Sequence, residues 1–195
     1  MAAPDVAHLH RRACESFGAR VHAVGHDQWH LDTPCEAWDV WALVNHLVSE
    51  DRWTPPLMAG STIEEVGDRF EGDLLGDDPV RAWDQAVAEA VAAMGRAGAM
   101  ARTVHLSFGE TPAEEYAMQL YADHLVHSWD LAVAIGADDS LDPELVDACW
   151  AWFSSREGQY REAGVVGPPV EVPEGGDAQT VLLARFGRRR GGPRP

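Results

Sequence analysis

Val6, Leu9, Ala13, Phe17, Val21 and Val24 recur at steps of three and four, the spacing that lines one face of a 3.6-residue helix. This predicts a first helix ending near Trp29. After a Thr33-Pro34 break, Val40, Leu43, Val44, Leu47 and Val48 repeat the pattern behind Asp39, an N-cap residue. The second helix is expected to reach about Trp53, before Pro55-Pro56. From Gly60 to Asp78 four glycines stand among acids, which predicts a loop that covers something. Asp78-Pro79 opens an Ala-rich third helix carrying Val80, Trp83, Val87, Val91 and Met94. A fourth starts near Thr111-Pro112 and ends at Gly136, suited to a left-handed cap. Asp142-Pro143 opens a fifth, through Trp152 to about Glu162. Residues 164–177 read as extended, before a short helix from Ala178 to Phe186. With almost no alternating strand pattern, the fold class is all-α: an antiparallel four-helix bundle with an additional C-terminal helix and a short extended segment.

The 195 residues, 46% of them hydrophobic, suffice for one buried core and exclude a disordered chain. One helical domain over residues 1–188 is expected. Against 32 acids stand 15 bases, all Arg, and the net charge of -17 argues against nucleic-acid and membrane-surface partners. Every acid precedes residue 185, so the end of the chain is basic; residues 189–195 read as a disordered Arg/Gly/Pro tail. Three cysteines without Cys-x-x-Cys indicate neither a disulfide framework nor a thiolate zinc cage. With no apolar leader pattern and no run of 18 apolar residues, a cytoplasmic location is expected.

The fourth helix is apolar over most of its circumference, yet Asp123, His127 and Asp130 fall within about 60° of one another on a helical projection. An ionised Asp taken out of water needs a partner, neutralisation or a metal. Asp123 and His127, one turn apart, suit either a hydrogen-bonded core pair or two ligands to one ion; Asp130 can orient a ligand. Zinc, nickel, iron and manganese all accept this donor set. His46, in the second helix, is the candidate third ligand, although its angle lies off that helix's apolar stripe. His124 reads as a surface or edge histidine. His8, His10, His22, His26 and His30 lack ligand-like pairing on an apolar face, save that His22 and His26 are four apart.

The strings TPCEAWDVWALVNHLV, GDRFEGDLLGDDP and YADHLVHSWDLAVAIGAD, in that order, resemble signature segments of the mycothiol-dependent maleylpyruvate isomerase N-terminal family within the DinB-like superfamily. The resemblance spans roughly residues 8–188, including the final LLARFGRR. It implies a DinB-like bundle holding one divalent metal, usually zinc, through His46, Asp123 and His127. It also implies a low-molecular-weight thiol as co-substrate and a small organic electrophile as substrate, for transfer or isomerisation; bundles of this family often pair as homodimers. The family commonly has Glu at the position of Asp123, and the shorter Asp implies weaker binding, a shifted ion or an extra water.

Trp38, Trp41, Trp53 and Trp129 lie in or beside these segments, as an aromatic wall or as ordinary core. Arg52 is a candidate for a substrate carboxylate and equally for a surface ion pair. Cys35 with His46 has the residue types of a nucleophile pair but no oxyanion hole. Two other functions use the same residues: a metal-dependent hydrolase with a general base such as Asp130, and a non-catalytic metal- or ligand-binding bundle.

Overall fold

Part of the acidic surplus is placed at helix starts. Asp5, Asp39, Asp78, Asp142 and Asp177 each accept a backbone N–H from the first turn of the helix that follows. A carboxylate there satisfies an otherwise orphaned donor and faces the positive end of the helix dipole. The computed structural model describes residues 5–36 and 38–190, so the expected tail beyond residue 190 lies outside them.

Helix α1 (Val6–Val21) runs along α5 (Ala113–Ile135), and α2 (Val40–Ala59) along α4 (Pro79–Met94), making the expected all-α bundle. A short α3 (Ile63–Val66) lies inside the covering loop, and α6 (Pro143–Phe153), α7 (Glu157–Glu162) and α8 (Ala178–Arg185) follow the bundle. Residues 164–177 carry no regular element, and Val170 donates to the Ala184 carbonyl. Among the described residues no helix is long and apolar enough to cross a membrane.

Four boundaries differ from expectation. Helix α1 stops at Val21 rather than near Trp29, because the Gln28 side chain takes the Gly25 N–H (2.8 Å) and donates to the Ile135 carbonyl (3.0 Å). Those bonds replace helical ones in a turn that packs Val24 and Trp29 against the core. Helix α2 runs through Pro55-Pro56 to a left-handed Gly60. The prolines remove two donors, but Leu57 and Met58 gain full burial, and burial of that size outweighs bonds lost near a helix end. The fifth predicted helix is interrupted after Phe153, giving α6 and α7. An antiparallel hairpin, β1 (Thr103–Leu106) and β2 (Gly109–Pro112), precedes α5; its four-residue strands are too short to show alternation.

The covering loop is tied to α2. Asn45 donates to the Gly72 carbonyl and accepts from the Leu74 N–H, and Ser49 donates to the Phe70 carbonyl. Between α1 and α4 the helices touch closely: Trp83 packs 4.8 Å from Phe17, and a methyl group on Gly18 would come within 2.9 Å of the Trp83 indole nitrogen.

Overpacking at that contact sets an expected outcome. Gly18→Val should destabilise the chain by about 1–3 kcal/mol, read as a shifted urea midpoint at constant slope, while Gly158→Ala, which meets nothing within 4 Å, should not lower it.

Candidate metal centre

Where α2 faces α5, the side chains of His46, Asp123 and His127 converge. One Asp123 oxygen lies 3.0 Å from His46 Nε2 and the other 3.3 Å from His127 Nε2. The two imidazole centroids are 5.5 Å apart, and one donor atom from each of the three residues falls within 4.8 Å of the others. That spread suits bonds of roughly 2 Å to one shared ion. His46 sits off the apolar stripe of α2, and the ring of Trp38 covers it, 4.6 Å from His46 and 5.5 Å from His127.

His127 is held from behind. Its Nδ1 donates to Asp130 (2.8 Å), and the fully buried Asp130 also accepts from Arg188 (2.9 Å), just beyond α8. Committing Nδ1–H to a carboxylate leaves Nε2, the nitrogen facing Asp123, as the position that can bind an ion once it gives up its own proton. Burial works against ionisation of Asp130, but the Arg188 charge and the His127 hydrogen bond keep its carboxyl below the ordinary range. Burial likewise disfavours a charged His127, yet Asp123 and Asp130 push its pKa up to about 9. Asp123, against the cost of burial, is held well below the usual carboxylate range by His127 and His46.

The three side chains line a cleft of about 460 Å³. Trp38, Glu50, Val166 and Phe186 form part of its wall, and the exposed Phe108 and Val165 sit at its edge. Glu50 is one turn beyond His46 on α2; burial and the Asp123 charge raise its carboxyl above the ordinary range. Sequence reasoning passed over both Glu50 and Arg188. The signal for Glu50 was its four-residue step from His46; Arg188, the last residue of the expected domain, borders the stretch whose composition reads as tail.

Other candidates fall elsewhere. Arg52 faces Glu89 (3.8 Å) on the surface and does not line the cleft, because its position on α2 points toward α4. Asp130 has no exposed surface, so it acts through His127. Cys35 lines the cleft, whereas Trp41 packs on Trp29, Trp53 on Phe70, and Trp129 is buried core. His22 pairs with Asp84. His124, expected at the surface or an edge, is completely buried, as is His10, because α1 packs along the side of α5 that carries His124.

A sequence profile described as the mycothiol maleylpyruvate isomerase N-terminal domain matches residues 10–132. An uncharacterized protein of Mycobacterium tuberculosis strain H37Rv, and likewise one of strain CDC 1551 / Oshkosh, is 34% identical over 140 residues, 70% of this chain and 70% of the relative. No solved structure matches the chain.

Removing one member of a buried ion pair strands the other. Arg188→Ala should therefore cost about 3–5 kcal/mol of stability, measured by chemical unfolding; a loss no greater than that of Arg189→Ala would show that Asp130 does not depend on it.

Proposed function

This chain belongs to the mycothiol maleylpyruvate isomerase N-terminal domain family, and from that premise we propose that it is a divalent-metal enzyme using a low-molecular-weight thiol of the mycothiol class as co-substrate. Its second substrate is a small organic electrophile, and the reaction is transfer or isomerisation. The observation that carries this reading is the convergence of two imidazole nitrogens and a carboxylate oxygen in an open cleft, with the Nδ1 of His127 already committed to Asp130.

The donor set fits zinc, and equally nickel, iron or manganese. His46, Asp123 and His127 would hold the ion, leaving room for an incoming group. A divalent ion there supplies Lewis acidity, which favours the ionised, nucleophilic form of a thiol at neutral pH. The remaining chemistry belongs to the chain's own side chains. Asp130 and Arg188 keep the His127 ring oriented. Trp38 and Phe186 give the cleft an apolar wall that limits water around an electrophile. Glu50, its affinity for a proton raised by burial and by Asp123, is suited to take a proton from the thiol or substrate and return it.

Glu50 also favours a second reading. The same three ligands with a raised carboxyl nearby suit a metal-dependent hydrolase, in which Glu50 takes a proton from water. The two readings part on one measurement: turnover of an electrophile only with thiol supports the first, and turnover without thiol supports the second.

Metal analysis tests the ligand set. The cleft ion should be retained by the native chain and lost from His46→Ala and His127→Ala, and Asp130→Asn should weaken its binding about 10–100-fold; unchanged metal content in all variants overturns the ligand set. Glu50→Gln should keep the metal and lower kcat about 10²–10⁴-fold, and unaltered turnover would remove Glu50 from the reaction.

A further inference from the structure

Deeper in the bundle, where α1, α2 and α5 meet, lies a second group of ligand-type side chains: His10 and Cys14 from α1, Asp51 from α2 and His124 from α5. His10, Asp51 and His124 have no exposed surface and Cys14 has almost none. One donor atom from each lies within 4.8 Å of the other three. Cys14 Sγ is 3.5 Å from His10 Nε2, and His124 Nε2 is 3.4 Å from an Asp51 oxygen. A tetrahedral ion with bonds of roughly 2.0–2.3 Å holds its ligand atoms roughly 3.3–3.8 Å apart.

The hydrogen bonding in the group is incomplete without a cation. His124 Nδ1 lies 2.8 Å from the Leu120 carbonyl, which only accepts, so that nitrogen carries the proton. The other ring nitrogen, Nε2, faces the Asp51 carboxylate. The other Asp51 oxygen is buried with no hydrogen-bond partner, and such a group costs free energy unless something satisfies it. Phe17 and Trp83 pack around His124, so the surroundings are apolar.

We propose that His10, Cys14, Asp51 and His124 form a closed site for a structural divalent ion of the zinc class, separate from the cleft. Four protein ligands leave no open position, which makes the site structural rather than catalytic. On binding, the Cys14 thiol gives its proton to solvent, and thiolate, carboxylate, two neutral imidazoles and a divalent ion sum to zero charge. That neutrality suits a site buried from water. The absence of Cys-x-x-Cys hid the group; its trace in the sequence is His10 and Cys14, one turn apart on the inner face of α1.

The cleft donors contain no sulfur except Cys35 at its wall, so the two sites can be separated. Chain produced in cobalt-supplemented medium, which loads a closed site as it folds, should show a near-ultraviolet thiolate-to-cobalt charge-transfer band. The band should persist in His127→Ala/Cys35→Ser, with about one ion per chain by elemental analysis, and vanish when Cys14→Ser is added. A His127→Ala/Cys35→Ser chain with native helical circular dichroism and neither band nor bound ion overturns the proposal, as does a band that survives Cys14→Ser. The first of these needs no substitution among the four proposed ligands, and loss of the cleft ion alone leaves the band untouched.

Discussion

A carboxylate with no exposed surface must find its counter-charges inside the protein, and Asp130 finds two: the His127 ring on its own helix and Arg188, 58 residues further along the chain. The requirement ties the segment beyond α8 to α5. It also sets the direction of the His127 ring, and with it the nitrogen that faces Asp123. A surface pair of the same residues would be worth little and would orient nothing. Burial makes this one both costly to break and able to fix a geometry.

Helix α5 carries this arrangement because nearly all of its circumference is covered. Adjacent residues on it, Asp123 and His124, are turned about 100° apart, so one enters the cleft toward α2 and the other the junction with α1 and α2. A helix with a solvated face would carry such groups at no cost and place them nowhere in particular. Here each polar side chain on α5 has to meet a specific neighbour or remain unsatisfied, as Ser128 Oγ and Trp129 Nε1 do, and at the junction with α1 and α2 one Asp51 oxygen is likewise buried without a partner among the described protein atoms.

The net charge of -17 looks at first like a statement about partners. Part of it has a local explanation, since five aspartates cap the helices they precede. The arginine-rich end has a local explanation too. Arg188, at the end of the expected domain, reaches Asp130, and Arg190, within the stretch read as tail, pairs with Asp177, so the described part of this end is in contact with the rest of the fold.

What the sequence determined by itself is what short-range physics encodes: helix faces from three-and-four spacing, starts from Asp and Asp-Pro, the left-handed end at Gly136, and the one-turn pairing of Asp123 with His127. These depend on residues within a turn or two, and they survive any tertiary context that buries the apolar stripe. The resemblance of three separated segments to a known family added His46 to that pair. Tertiary structure alone decided the rest. His46 lies off its helix stripe and faces Asp123 across 77 residues; His10 and His124 have charged neighbours in sequence and no exposed surface in the fold; Arg52 turns out and Glu50 turns in. Periodicity measures angles around one helix axis, whereas burial and partnership depend on which neighbouring helix lies at that angle, and that is set by packing between segments far apart in the chain.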